Sequence, residues 1–141
     1  MELALAEGER ARGQTGDNPW VGSLVVSGAA ILGIGRTQPP GQDHAEIAAL
    51  RAALAAGHDV RGATLYATLE PCSFHGRTPA CALEIVRRGI ATVVIGMRDP
   101  HPRVDGEGVR ILRTAGIEVV EGVLLHRVER SLEAWLREQH P

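Results

Sequence analysis

One histidine and two cysteines constrain this chain more than any other feature of its sequence. His44 opens the motif His44-Ala45-Glu46, and the dipeptide Pro71-Cys72 is followed nine positions later by Cys81. One imidazole and two thiolates give a zinc ion three protein ligands and leave the fourth tetrahedral position for water, which is typical of catalytic zinc. The fold is therefore expected to bring these three distant positions to one ion.

The residue types around these ligands predict a particular reaction. Bound zinc lowers the pKa of water towards neutrality. Glu46, two residues after the histidine, can take a proton from that water and deliver it to a ring nitrogen and then to a departing amine. The pattern His-x-Glu followed by Pro-Cys is that of zinc deaminases, although the gap between the cysteines is longer here. The sequence predicts a hydrolytic deamination that turns C–NH2 into C=O and releases ammonia.

Each half of the pattern also has a plainer interpretation. His44 and Glu46 alone fit a solvated first turn of a helix, where acidic residues are common. Cys72 and Cys81 alone fit small buried apolar positions. A helix start near Cys72 would favour its thiolate form. Taken together, the four residues favour catalytic zinc.

Composition narrows the function further. The chain has 141 residues, the size of one domain over 1–141, and all fifteen basic residues are arginine, which excludes a lysine Schiff base or a phosphate-loop lysine. A net charge of −2 provides no positive field for a nucleic-acid backbone. The longest apolar stretch, 24–35, is too short to span a bilayer. We expect a cytoplasmic enzyme with a small-molecule substrate and with neither a nucleic-acid nor a membrane partner.

Hydrophobic periodicity predicts the element order α-β-β-α-β-α-β-α-β-α. We expect a short helix before residue 8, helix 44–57 capped by Asp43, helix 80–88 capped by Thr78, helix 109–115 and helix 124–138. The expected strands are 21–26 and 30–34, joined as a hairpin, followed by 64–68, 92–96 and 118–121. A hairpin followed by alternating units fits an α/β fold with a mixed sheet and helices on both faces.

Longer motifs extend over nearly the whole chain. They are Asn18-Pro19-Trp20-Val21-Gly22, His44-Ala45-Glu46, Gly62 to Tyr66, Thr68 to Cys72, Gly76 to Cys81, Asp99-Pro100, Val104 to Gly108 and Ala115-Gly116-Ile117. With these motifs the chain resembles the pyrimidine deaminase domain of riboflavin biosynthesis. The resemblance implies a three-layer α/β/α cytidine deaminase-like fold with about five strands, a Zn2+ cofactor and a diaminohydroxyphosphoribosylaminopyrimidine substrate.

The resemblance also implies residues that contact the substrate. Asn18 would hydrogen-bond the pyrimidine, and Arg77 would approach the phosphoribosyl group. His75 would project beside Arg77 from the loop between the cysteines, and Asp99 follows an apolar strand, where α/β sheets tend to place ligands. Plain turn chemistry explains Asn18 and Asp99 as well, and an exposed loop position explains His75 and Arg77.

Four positions depart from the family pattern on the substrate side: Asp17, Thr37, Phe74 and His101. They keep two alternatives open, a deaminase of another nucleobase, nucleoside or aminotriazine, and a non-catalytic deaminase-like partner of a reductase. Members of this family are commonly fused to a reductase domain, which this chain lacks, so a separate reductase is a possible partner. The resemblance also favours a homo-oligomer, a dimer or larger.

Overall fold

The computed structural model describes residues 1–74, 76, 79–102 and 104–139. The helices are α1 (Glu2–Glu9), α2 (Ala45–Ala55), α3 (Cys81–Arg87), α4 (Glu107–Thr114), α5 (Leu125–Ser131) and α6 (Glu133–Gln139). The strands are β1 (Gly22–Ser27), β2 (Ala30–Arg36), β3 (Thr64–Leu69), β4 (Thr92–Met97) and β5 (Glu118–Val120). No helix of the described part of the chain is both long and apolar enough to cross a membrane.

The five strands form one mixed sheet in the order β2-β1-β3-β4-β5. β1 pairs antiparallel with both β2 and β3, whereas β3, β4 and β5 run parallel to one another. The tight β1–β2 connection is an antiparallel hairpin, and the parallel strands are joined by helices, as parallel pairing requires. The predicted mixed α/β sheet of about five strands is confirmed.

The buried apolar residues form two clusters. Val25, Leu65, Val93 and Ile95 point to one face, where they pack with apolar residues of α2, α3 and α4. The other face packs against α1 and the C-terminal helices through a second cluster: Leu5, Val21, Ala45, Leu69, Val128, Leu132 and Trp135. Helices therefore cover both faces of the sheet, which is the predicted three-layer arrangement.

Glycines allow the helices to approach the sheet closely. A Cβ atom on Gly33 would lie 2.2 Å from the carbonyl oxygen of Ala49, and one on Gly35 would lie 2.3 Å from the nitrogen of Ala49. These contacts press β2 against α2. Since α2 begins directly after His44, this packing fixes the position of the predicted metal ligand.

The structure corrects three local predictions. Asp43 does not cap α2, because His44 occupies the cap position without a side-chain hydrogen bond, and the Asp43 carboxylate accepts a hydrogen bond from Arg51 at 2.8 Å instead. The single C-terminal helix is two helices that meet at Leu132. No helix starts beside Cys72 in the chain, since the next helix after β3 begins at Cys81. Thr78, the predicted cap of that helix, lies outside the described residues.

Candidate active site

Three chain segments meet at the carboxyl ends of the parallel strands β3 and β4. His44 immediately precedes α2, Cys81 is the first residue of α3, and Cys72 lies in the loop that follows β3. Ligands of α/β proteins bind outside the carboxyl ends of parallel strands, because the connecting loops leave a crevice there. The topology thus gathers the predicted metal ligands at the place where such a sheet accepts ligands.

The spacing of the three ligand atoms fits one metal ion. The Nδ1 atom of His44 is 3.7 Å from the Sγ of Cys72 and 3.4 Å from the Sγ of Cys81. All three atoms lie within 4.8 Å of one another. A tetrahedral zinc ion with bonds of about 2.0 Å to nitrogen and about 2.3 Å to sulfur would separate these atoms by about 3.5 Å. The cluster has the donor atoms and the distances that zinc requires.

The two thiols differ in their electrostatic environment. The pKa of Cys72 is lowered to about 4, first by its hydrogen bond with Cys81 and also by its hydrogen bond with His44. The pKa of Cys81 is raised, because its thiol hydrogen-bonds the Cys72 sulfur and is fully buried. The pKa of His44 is raised by its hydrogen bond with Cys72. These hydrogen bonds therefore favour the thiolate form at Cys72 over that at Cys81.

Glu46 is a buried acid in the first turn of α2. Only 4% of the residue is exposed, and burial raises its pKa to about 7. A carboxyl group with a pKa close to the working pH can both accept and donate a proton efficiently. Glu46 thus places a buried acid with a pKa near neutrality next to the ligand cluster.

A cavity of about 380 Å3 opens over these residues. This volume falls within the usual range for a small-molecule site. The predicted residues His44, Glu46 and Cys72 line it, as do Asn18 and Asp99. The remaining lining residues are Asp17, Pro19, Val21, Thr37, Leu69, Glu70, Phe74, His101, Val104, Trp135 and Gln139.

Comparison with known protein families identifies the family to which this site belongs. Residues 1–97 match the model of the cytidine and deoxycytidylate deaminase zinc-binding region. The chain belongs to this deaminase family. The match includes the three candidate ligands and Glu46, so the predicted zinc cofactor and the predicted class of enzyme, a zinc-dependent deaminase, are confirmed.

Individual relatives of this deaminase are riboflavin proteins. The chain is 48% identical to the riboflavin biosynthesis protein RibD of Aquifex aeolicus, over 87% of this chain and 34% of the relative. Among solved structures, it resembles a diaminohydroxyphosphoribosylaminopyrimidine deaminase/reductase of Thermotoga maritima, with a TM-score of 0.93 and 42% identity over 100% of this chain and 41% of that one. The chain thus spans about a third of the length of the curated relatives it matches. The predicted family resemblance is confirmed.

A shorter neighbour matches the deaminase almost end to end. It is a structure from a study of A-to-I editing by tRNA:A34 deaminases, 30% identical, with a TM-score of 0.72. The match covers 94% of this chain and 97% of that chain. The identity and the TM-score are both lower than for the riboflavin enzyme.

The structure places two of the four predicted substrate residues. Asn18 and Asp99 line the cavity from opposite parts of the sequence. Asn18 is held by Thr15, whose Oγ1 donates a hydrogen bond to the Asn18 carbonyl oxygen at 2.7 Å. His75 and Arg77 lie outside the described residues, so their predicted roles stay predictions.

Sequence reasoning missed several residues that face the cavity. Trp135 belongs to the second buried cluster, but it also lines the cavity. Gln139 gave no signal, because a polar residue near the end of an amphipathic helix is ordinary. In the sequence, Glu70 stands out only as part of the motif Thr68 to Cys72, although it is a charged residue that is 3% exposed in the structure.

Proposed function

We propose that this chain catalyses the zinc-dependent hydrolytic deamination of diaminohydroxyphosphoribosylaminopyrimidine, a step of riboflavin biosynthesis. The observation that carries the proposal is the cluster of His44, Cys72 and Cys81 at a small-molecule cavity that His44, Cys72 and Glu46 line. Its substrate is suggested by the likeness to proteins named for riboflavin biosynthesis and for this deaminase reaction.

Four residues carry the proposed chemistry. His44, through Nδ1, and the sulfurs of Cys72 and Cys81 would hold zinc, which when bound lowers the pKa of water and supplies a nucleophile near neutral pH. Glu46 would take one proton from water and give it to the pyrimidine ring nitrogen, and it would then take the second proton from the hydroxyl group added to the ring carbon and give it to the departing amine. Its burial supports this role, because a desolvated carboxyl group holds a proton at neutral pH more readily than an exposed one.

The cavity walls would orient the pyrimidine. Asn18 offers an amide that can both donate and accept hydrogen bonds, which suits the alternating donors and acceptors of an aminopyrimidine. Asp99 offers a carboxylate on another wall. By resemblance, His75 and Arg77 would meet the phosphoribosyl part of the substrate.

Ammonia release from a panel of amines tests the proposal. The zinc-loaded chain should release ammonia from diaminohydroxyphosphoribosylaminopyrimidine and much more slowly from cytidine, dCMP, guanine and an aminotriazine. Turnover of one of the other compounds alone would replace the proposed substrate. No turnover of any compound would favour the non-catalytic partner of a reductase.

Editing of a tRNA adenosine is a second candidate, favoured by the end-to-end match with the structure from the tRNA:A34 deaminase study. The net charge of −2 opposes it, because binding a nucleic-acid backbone depends on neutralising phosphates with basic side chains. A tRNA substrate in the same panel separates the two candidates.

The setting of the enzyme is also part of the proposal. We infer that the chain forms one deaminase domain over 1–141, works in the cytoplasm and assembles as a homo-oligomer. A reductase would act on its product. A reducing compartment suits the site, since zinc ligation requires both cysteines as free thiolates.

A further inference from the structure

Glu70 is a buried acid that the proposed chemistry does not use. It is 3% exposed and directly follows β3. Its Oε1 accepts hydrogen bonds from the backbone N–H groups of Asp99, at 3.3 Å, and Gly106, at 2.9 Å. Its Oε2 accepts one from the N–H of Val109 at 3.2 Å. Both carboxylate oxygens are therefore committed to the backbone of residues 99–109.

These bonds explain why a carboxylate is buried here. Burying a charge is costly unless hydrogen bonds compensate it, and the three N–H donors provide that compensation. Two of the donors belong to the start of α4, whose cap residue Gly106 has a φ of 91° and no side-chain cap. The first N–H groups of a helix have no partner within the helix. Glu70 thus caps α4 from the position directly after β3.

The contact between Glu70 and α4 is tight. A Cβ atom on Gly108 would lie 2.2 Å from the carbonyl oxygen of Pro71 and 3.1 Å from Oε2 of Glu70. A side chain at position 108 would therefore push α4 away from the segment that leads to Cys72. Glycine at this position lets the carboxylate reach the helix backbone.

The segment that Glu70 holds forms one wall of the cavity. Asp99, His101 and Val104 all line the cavity. The N–H of His101 donates a hydrogen bond to Oδ1 of Asp99 at 2.8 Å, which closes a turn. The ring of His101 lies 5.8 Å from the ring of Phe74, which lines the cavity from the loop after Cys72. Since Glu70 binds the N–H of Asp99, it fixes this turn at its first residue.

We propose that Glu70 is a positioning residue that holds Asp99 and His101 in place as a substrate-binding wall. The inference rests on the proposed deaminase function for its kinetic consequence. Within the described part of the chain, the hydrogen bonds of Glu70 go to the backbone of residues 99–109 and not to the metal ligands or Glu46, so the wall and the proton-transfer residues are separable. Loss of these hydrogen bonds should therefore weaken substrate binding more than it slows the deamination step.

Glu70→Gln is the variant that tests whether Glu70 positions Asp99 and His101. Glutamine keeps the size of the side chain, but its amide nitrogen cannot accept a hydrogen bond, so at least one of the three backbone N–H groups loses its partner. Glu107→Gln is the matched control, because Glu107 also lies at the start of α4 but pairs with Arg110 on the outside. Each variant is compared with the wild-type chain in its zinc-loaded form.

Three readouts are expected to agree. Glu70→Gln should raise KM roughly tenfold or more and change kcat by less than about threefold, the pattern expected when ground-state and transition-state binding weaken together. Amide hydrogen exchange should accelerate at residues 99, 106 and 109 but not within α2, since exchange reports local opening. Zinc content should stay at the wild-type level. Glu107→Gln should match the wild-type chain in all three.

A double-mutant cycle with Asp99→Ala separates positioning from general destabilisation. If Glu70 acts through the wall, Glu70→Gln should raise KM much less in the Asp99→Ala background than in the wild-type chain. The proposal would be overturned if Glu70→Gln and Asp99→Ala changed KM independently of each other. It would also be overturned if Glu70→Gln had the same KM as the control Glu107→Gln. If Glu70→Gln fails to fold, Glu70→Asp keeps the charge but retracts the carboxylate, and it should show the same KM increase in milder form.

Hydrogen exchange tests the positioning role of Glu70 separately from the proposed function, because it needs no substrate. If the wild-type chain does not deaminate the riboflavin precursor, the proposed function fails, and the kinetic arm moves to the panel compound that is turned over. Unchanged exchange at residues 99, 106 and 109 in Glu70→Gln would overturn the positioning role whatever the substrate is.

Discussion

The backbone N–H of Cys81 donates a hydrogen bond to the Sγ of Cys72 at 3.2 Å. Cys81 is the first residue of α3, so the donor is one of the N–H groups at a helix start that have no partner within the helix. The helix start that lies close to Cys72 in space is therefore that of α3, which begins nine residues later in the chain. This contact ties the two cysteines together and favours the thiolate of Cys72.

Loss of the imidazole ligand should remove zinc. We expect His44→Ala to weaken zinc binding by more than about a hundredfold, because two thiolates alone leave the ion without its third protein ligand. Titration of metal-free protein with zinc measures the change. His58→Ala is the control, since His58 is exposed outside the site, and it should bind one zinc ion per chain as the wild type does. Equal affinity of the two variants would contradict the ligand assignment.

The buried carboxyl group of Glu46 should make the stability of the metal-free protein depend on pH. Burial raises its pKa from 4.5 to about 7, so between these values the folded chain holds a proton that the unfolded chain has released. Stability from this group is therefore present below pH 4.5 and is lost as the pH rises through 7. The full loss corresponds to roughly 3 kcal/mol.

Urea unfolding of metal-free wild type and Glu46→Gln isolates this effect, because both proteins keep the opposite pKa shift of Cys72. The two free energies of unfolding should be similar near pH 4.5, and the variant should become progressively more stable than the wild type up to pH 8. A difference that does not change with pH would contradict the burial of a titrating carboxyl group.

Close packing of β2 against α2 should be intolerant of a single methyl group. A Cβ on Gly35 would lie 2.3 Å from the nitrogen of Ala49 and 2.4 Å from the carbonyl oxygen of Ala45. We expect Gly35→Ala to lower the free energy of unfolding by about 2 kcal/mol or more, since overpacking forces backbone shifts. Ile34→Ala, at an adjacent position that is 45% exposed, should cost less than about 1 kcal/mol in the same urea experiment. Comparable losses would show that β2 and α2 can move apart freely.

Asn18 should matter for substrate binding rather than for folding. We expect Asn18→Ala to raise KM for the aminopyrimidine roughly tenfold, the usual scale for losing a hydrogen bond that orients a ligand. Gln14→Ala changes an exposed residue of the same loop and should leave KM unchanged. Thermal melting of both variants checks that the loop still folds. A KM for Asn18→Ala equal to that of Gln14→Ala would leave only the turn role for Asn18.

The elements of the fold were predictable because their signals are local. The β-rich run of β1 and the helix pattern of α2 lie within single stretches of chain. The break at Leu132 was not predictable, since the apolar stripe continues from α5 into α6 and hides the junction. Asp43 had the residue type of a helix cap, but the neighbouring guanidinium of Arg51 offers its carboxylate a charged partner instead.

The site was predictable only where residue type and spacing carry chemistry. His44, Glu46, Cys72 and Cys81 form a recognisable pattern because zinc and proton transfer demand those side chains. Glu70 shows the limit, since its partners lie 29, 36 and 39 positions further along the chain and are backbone groups of ordinary residues. Contacts of that kind exist only once the sheet has brought β3 and β4 together.

Ammonia release by the zinc-loaded chain, with Glu46→Gln measured beside it, tests the central claim most directly. We predict steady release from diaminohydroxyphosphoribosylaminopyrimidine by the wild type, and a rate lower by about a hundredfold to ten-thousandfold for Glu46→Gln at the same zinc content. Glu84→Gln, which changes an acid on α3 outside the cavity, should retain the wild-type rate. Equal rates for the wild type and Glu46→Gln would contradict the account.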